Sequence, residues 1–298
     1  MPGRFKPPHP ESLNPRELSH DDRERRGRDP ASMTRGCDVR PAFTGDDERL
    51  ALLENEGALF VATARVHDLA APVPGCPGWT LRELVAHLGL VYRWVTRVVR
   101  DGRPGPPDRA ERCSLEDPDP GDGPALVDRA QVAHADLVDA LRAAPPDLDC
   151  WTVWPAASAR SFWIRRQLFE TLVHRVDAQN SAAARDADGT DLVPRVAADG
   201  VDEMVCGFLH RYAGQLRTDT GVTLALHATD TDGRWWIRLG PDAPTSGRGA
   251  VDTGPRDAQV EATAGELLLM LWNRRASWDL RVRGDRAALE HWHRGAHR

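Results

Sequence analysis

Phe162-Trp-Ile-Arg-Arg-Gln-Leu-Phe-Glu-Thr-Leu-Val-His-Arg-Val-Asp-Ala178 is the stretch on which the reading of this chain turns. Phe162, Leu168, Leu172 and Val176 recur at helical spacing and form an apolar side, with arginines set between them. Glu170, His174 and Asp177 stand at i, i+4 and i+7, which puts three polar side chains in one column along a helix. A carboxylate and an imidazole one turn apart can share a divalent metal ion, because their donor atoms converge above the same groove. The same spacing also describes a solvated Glu–His pair of little energetic weight. Asp177 could orient a ligand histidine from behind or pair with an arginine of the bundle.

Moving upstream, Thr80 followed by Glu83 has the pattern of a capping box. It opens a helix carrying Leu81, Leu84, Val85, Leu88, Val91 and Trp94 to about Asp101-Gly102. His87 lies within it, either as a hydrogen-bonded core residue or as a metal ligand. Before this helix, Ala71-Pro-Val-Pro-Gly-Cys-Pro-Gly-Trp79 cannot be helical because of its prolines. Cys76 reads there as a turn residue more simply than as an internal thiol. An earlier helix runs from about Thr44 to Leu69. Residues 103–124 are a Pro/Gly/Asp-rich loop without a motif, and a further helix spans about Pro124 to Ala143 before Pro145-Pro146. Four helices joined in this way are expected to form an up-down bundle of antiparallel neighbours over residues 43–181, an architecture whose core commonly holds metal sites.

Downstream, the run of Ala, Asp and Gly within 182–193 reads as a linker. Pro194–Tyr212 is helical in pattern. Val222–Ala228 and Trp235–Leu239 then alternate as strands around the Thr231-Asp-Gly233 turn. Asp257–Ala262 and Asp279–Arg283 read as further strands, with helices at Thr263–Trp272 and Arg286–His293. Residues 194–298 are therefore expected to form a small α+β domain. Residues 1–42, rich in Pro, Arg, Asp, Glu and Ser, are expected to be disordered.

Composition narrows the class. The chain has 298 residues, a net charge of −6 and a pI near 6.0, so it carries no basic footprint for nucleic acid. Lys6 is the only lysine; arginine supplies nearly all the positive charge, as in proteins of GC-rich genomes. The five cysteines are scattered and form no CxxC, which argues against a disulfide framework or a thiolate zinc site. No apolar run suits a membrane span, and a cytoplasmic monomer or weak homodimer is expected.

His87 with Glu170 and His174 would supply two imidazoles and a carboxylate from two helices. That donor set leaves a fourth tetrahedral position open, as in catalytic zinc sites. At this point the chain resembles a known family. Val73-Pro-Gly-Cys-Pro-Gly-Trp-Thr-Leu-Arg-Glu-Leu-Val-Ala-His-Leu88, together with Glu170-x-x-x-His174-x-x-Asp177, is similar to the mycothiol-dependent maleylpyruvate isomerases. Gly265-Glu-Leu-Leu-Leu-Met-Leu-Trp-Asn-Arg274 and Leu280-Arg-Val-Arg-Gly-Asp285 are similar to the second domain of that family. The resemblance covers roughly residues 45–295. It implies a DinB-like four-helix bundle followed by a small α+β domain, with His87, Glu170 and His174 as ligands of a divalent metal, usually zinc. It further implies mycothiol, a low-molecular-weight thiol of actinobacteria, as cosubstrate. A coordinated thiol is held as thiolate, and a thiolate adds readily to an activated double bond. Cis-trans isomerisation of a small acidic electrophile such as maleylpyruvate would follow; without the elimination step the same site would be a thiol S-transferase. Either route needs a cation for the acidic substrate. Arg274 is the candidate, with the adjacent Arg275 not distinguishable from it by sequence. A reading of a different class is a non-catalytic metal- or small-molecule-binding regulatory module on the same fold. The extension at 1–42 and the 103–124 loop depart from the simplest members of the family.

Overall fold

A computed structural model describes residues 45–117, 119, 122–182, 191–209, 215–254, 257–274 and 280–295. The expectation for residues 1–42 and that for Arg275 lie outside these, as does most of the expected linker. The first part is built from four long helices, α1 (Asp46–Val66), α2 (Leu81–Arg100), α4 (Gly123–Ala143) and α5 (Ala159–Ala182), with a short α3 (Arg109–Leu115) between the second and third.

The helix starts follow local chemistry. Thr80 and Glu83 close the capping box read from the sequence, each side chain taking the other's backbone N–H. Ser158 Oγ accepts from the Ser161 amide at the head of α5, and Asp122 caps α4. Asp108 and Glu111 form a second capping box, so the stretch read as a loop without a motif contains α3. Arg93 Nε donates to the Leu115 carbonyl and Arg129 pairs with Asp117, pinning this connection against α2 and α4.

The helix directions correct one expectation. Arg160 and Ser161 meet Asp46, and Arg175 meets Glu56, so α1 and α5 run parallel. Arg100 meets Asp136 at one end of α2 while Arg82 lies beside Gly123 at the other, so α2 and α4 are parallel as well. The path is up, down, down, up, not strict alternation of antiparallel neighbours. The reason is the long 101–122 connection, which returns the chain to the starting end of α2 before α4 begins. The α2–α5 pair remains antiparallel: Trp94 meets Trp163, and His87 meets His174.

The second part holds α6 (Pro194–Cys206), β1 (Val222–Ala228), β2 (Arg234–Leu239), β3 (Thr245–Arg248), β4 (Ala258–Ala262), α7 (Ala264–Leu271), β5 (Arg281–Gly284) and α8 (Ala287–Gly295). The sheet order is β3-β2-β1-β4-β5. β1 pairs antiparallel with β2 and parallel with β4; the outer pairs are antiparallel. Leu224, Leu226 and Ala228 alternate inward on β1, as the period of a half-covered strand requires. The helical first part and this small mixed sheet match the expected fold class.

α5 is the axis of the molecule. Most of its side chains are buried, apolar and polar alike, because α1, α2 and α6 enclose it. Phe162, Trp163, Leu168, Phe169, Leu172 and Val176 bury their apolar surface, each worth about 1.5–3 kcal/mol. Its buried arginines meet acids on α6: Arg165 pairs with Asp199 and Asp202, and Arg166 with Glu203. Arg49 of α1 also reaches Asp199, and Arg248 of β3 reaches Asp202. These buried ion pairs set how the two parts meet.

Candidate metal centre

The 71–79 turn is folded by its own backbone. Val73 donates to the Trp79 carbonyl, Cys76 to Val73 and Trp79 to Cys76, which turns Cys76 inward until it is 1% exposed. The same turn delivers the chain to the Thr80 cap, and His87 follows on the second turn of α2. His87 faces α5 with its ring 5.1 Å from Trp79 and 5.2 Å from His174, both edge-on.

The three donors predicted from sequence come together. His87 Nε2 lies 3.3 Å from Glu170 Oε1, and His174 Nε2 lies 3.5 Å from the same oxygen. Ligand atoms of all three residues lie within 4.8 Å of one another. Donors at about 2.1 Å from a tetrahedral zinc are separated by about 3.4 Å, close to the two distances found. Glu170 and His174 side chains are 1% and 4% exposed, whereas His87 is 15% exposed, so the solvent side of the cluster is the His87 side.

Asp177 decides the state of His174. Its Oδ2 lies 2.9 Å from His174 Nδ1. Burial alone would raise the Asp177 carboxyl, but the Arg274 guanidinium and His174 outweigh it and hold it at about 2. A carboxylate only accepts, so His174 carries its proton on Nδ1. The buried Nε2 then faces Glu170 Oε1 at 3.5 Å, with no hydrogen bond of ordinary geometry among the described residues. A bare lone pair beside a carboxylate oxygen repels it unless a cation lies between them. Either a proton or a metal ion fills that gap. In the metal-free chain the proton is favoured: burial opposes it, but Asp177, Cys76 and Glu170 raise the His174 pKa well above its ordinary value. The same surroundings act on Glu170, where His174, His87 and Arg166 overcome burial and push the carboxyl well down. The donor chemistry fits a divalent ion on His87, Glu170 and His174.

A second convergent set, Cys76, His174 and Asp177, shares one histidine with the first. It is already served by a cation. Arg274 Nη2 lies 3.1 Å from Cys76 Sγ and 3.0 Å from Asp177 Oδ2, so an ion there would sit against a guanidinium. Arg274 Nε also donates to Asp177, and Nη1 donates to the Trp272 carbonyl. Gly75 makes this approach possible, because a Cβ there would come within 2.2 Å of Asp177 Oδ1. Cys76, read as a simple turn residue, thus touches the machinery behind His174. Arg274 stands beside the cluster, tied to Asp177 rather than free.

Other residues were missed. Arg166 is fully buried against Glu170, four residues ahead of it on α5, a spacing that was readable. The Trp272 ring is 6.4 Å from His174, and its buried indole N–H has no acceptor among the described residues. The α3 connection is tied to the bundle by Arg93 at the Leu115 carbonyl and by Arg129 at Asp117, while Arg103 within it pairs with Glu111.

Fold and site define a helical bundle with a His-Glu-His donor set buried between two of its helices, joined to a small mixed-sheet part. The comparisons agree with that fold. Residues 50–179 match the mycothiol maleylpyruvate isomerase N-terminal domain, and residues 195–291 match the C-terminal domain of the same family. The chain belongs to the mycothiol maleylpyruvate isomerase family. A crystal structure of the mycothiol-dependent maleylpyruvate isomerase is similar with a TM-score of 0.57 at 15% identity, over 82% of this chain and 95% of that one. A crystal structure of a histidine-to-alanine mutant of such an enzyme gives a TM-score of 0.60 at 15% identity with the same coverage. No curated protein sequence matches the chain. Among the described residues, no helix is long and apolar enough to cross a membrane.

Proposed function

We propose that this protein is a metal-dependent enzyme that uses mycothiol to isomerise a small, acidic, electrophilic substrate such as maleylpyruvate. One observation carries the reading: the buried Nε2 of His174 and the Nε2 of His87 converge on one oxygen, Glu170 Oε1, at 3.5 and 3.3 Å. His87, Glu170 and His174 would hold the ion, zinc being the natural choice for two imidazoles and a carboxylate. When bound, the ion supplies a low-pKa environment that holds a thiol as the nucleophilic thiolate.

The chain's own residues do the rest. Asp177 keeps the His174 proton on Nδ1 and the ring in place. Arg274 holds Asp177 ionised; among the described residues four of its five N–H donors are engaged by Asp177, Cys76 and the Trp272 carbonyl, and the second N–H of Nη1 would be the one offered to a substrate carboxylate. Arg274 is therefore proposed first as a positioning residue and second as a substrate contact. Trp79 beside His87 and Trp272 beside His174 form apolar walls that exclude water from the reacting atoms. In the substrate, thiol addition turns an activated cis double bond into a single bond, rotation follows, and loss of the thiol leaves the trans isomer.

The test is zinc-loaded protein mixed with mycothiol and maleylpyruvate, followed by chromatography. Conversion that requires both the metal and the thiol is expected. Accumulation of a stable thiol adduct would assign the site to S-transfer instead. A protein that binds zinc but neither isomerises nor conjugates maleylpyruvate or related unsaturated acids would overturn the enzymatic reading in favour of a binding module.

A further inference from the structure

Arg166 lies on α5 one turn before Glu170 with its side chain 1% exposed. Its Nη2 donates to Glu170 Oε2 at 3.1 Å, while Nη1 donates to Glu203 of α6. The guanidinium carbon lies 5.2 Å from the Phe208 ring and 5.1 Å from the Trp272 ring. It is therefore fixed from several directions by two carboxylates and two aromatic rings. Among these partners Glu203, Phe208 and Trp272 come from the second part of the chain and Glu170 from the bundle.

This arrangement divides the two oxygens of Glu170. Oε1 faces His87 and His174, at 3.3 and 3.5 Å. Oε2 is committed to Arg166. We infer that Arg166 is a positioning residue that makes Glu170 a one-oxygen ligand, so that the strength of metal binding depends on how the second part docks on the bundle. The inference rests on the metal reading proposed above and adds to it a residue that touches neither metal nor substrate.

Charge supports the assignment. A fully buried carboxylate free to rotate would present either oxygen to the imidazoles. The planar guanidinium removes that freedom through fixed N–H directions. Glu203 keeps Arg166 from collapsing wholly onto Glu170. Its own carboxyl is raised to about 7 by burial, partly offset by Arg166 and Arg165, so it can take a proton if the arginine is removed. That makes Arg166 replaceable without leaving an obligatory unpaired charge on α6.

The experiment uses the full chain, stripped of metal and titrated with Co2+ in the presence of a competing chelator, for wild type, Arg166→Met, Arg166→Met/Glu203→Gln and Arg166→Lys. Near-UV circular dichroism checks that each variant is folded; the double variant, with no buried charge left unpaired, provides a folded form if the single one fails. Loss of an outer-shell partner lowers metal affinity by about 10–100-fold, and this is the loss expected for the Met variants. A change in the cobalt ligand-field bands should accompany it as Glu170 gains freedom. Arg166→Lys, which restores charge but not the two-directional fork, is expected to recover part of the affinity. Folded Met variants with wild-type cobalt affinity and bands would overturn the inference while leaving the metal reading intact. Failure of the wild type itself to bind Co2+ would overturn the metal reading and this inference with it.

Discussion

Replacing Asp177 with asparagine isolates the charge that supports His174. Asp177 is fully buried, with Arg274 Nη2 at 3.0 Å and His174 Nδ1 at 2.9 Å. Asparagine keeps the shape and loses the charge. Holding the carboxyl at about 2, against an ordinary value of ~3.9, is worth about 2–3 kcal/mol at about 1.4 kcal/mol per unit. Breaking a buried ion pair by removing one partner typically costs about 3–5 kcal/mol. Together these place the expected loss near 3 kcal/mol at neutral pH. The sign of the pH dependence follows from the lowered pKa. The contribution is complete above the unfolded-state value near ~3.9 and is lost as pH falls through about 2. The gap between wild type and variant should therefore be widest at neutral pH and close between about pH 4 and 2. Urea unfolding of both metal-free proteins at pH 7, 4 and 3, followed by tryptophan fluorescence and far-UV circular dichroism, measures it. A variant within 0.5 kcal/mol of wild type at pH 7, on the order of an ordinary surface substitution, would refute the reasoning. A gap that stays constant as pH falls would do so too.

Other outcomes follow from the same geometry. Gly57→Ala would place a Cβ 2.1 Å from the buried ring of His134, whose Nε2 donates to the Leu53 carbonyl at 3.1 Å; a destabilisation of about 1–3 kcal/mol from overpacking is expected in thermal melts. Thr80→Ala removes half of the α2 capping box and should cost about 1 kcal/mol by urea titration, without altering metal stoichiometry. Because His174 must shed a proton from Nε2 to act as a ligand, zinc affinity should fall as pH falls. Calorimetric titrations in buffers of different ionisation enthalpy should show proton release on binding, and buffer-independent heats at pH 7 would contradict that assignment.

How far the chain could be read from its residues differs by element. The start of α2 was legible because Thr80 and Glu83 act on their own backbone, and local capping needs no tertiary partner. The column of Glu170, His174 and Asp177 was legible because helical period alone puts those side chains together. β3 was not, since Thr245-Ser-Gly-Arg248 has no apolar alternation and is a strand only because β2 offers it a paired edge. The direction of α4 depends on where α3 and the connection around it turn back, a property of packing rather than of local propensity. The burial of Arg165 and Arg166 was hidden for a different reason. Charged residues between apolar ones on α5 suggest a solvated face, until Asp199, Asp202 and Glu203 of α6 are brought against them. The same holds for Arg274, whose engagement with Asp177 spans 97 positions of sequence.

The most direct test of the metal centre is X-ray absorption at the zinc edge on protein loaded with one equivalent of zinc in the absence of any added thiol. Ligation by His87, Glu170 and His174 gives a first shell of nitrogen and oxygen alone at about 2.0–2.2 Å, with imidazole scattering beyond it. The shell should disappear, with the bound zinc, in His174→Ala. A sulfur scatterer at about 2.3 Å would instead put the ion on the neighbouring Cys76, His174 and Asp177 set and contradict the assignment.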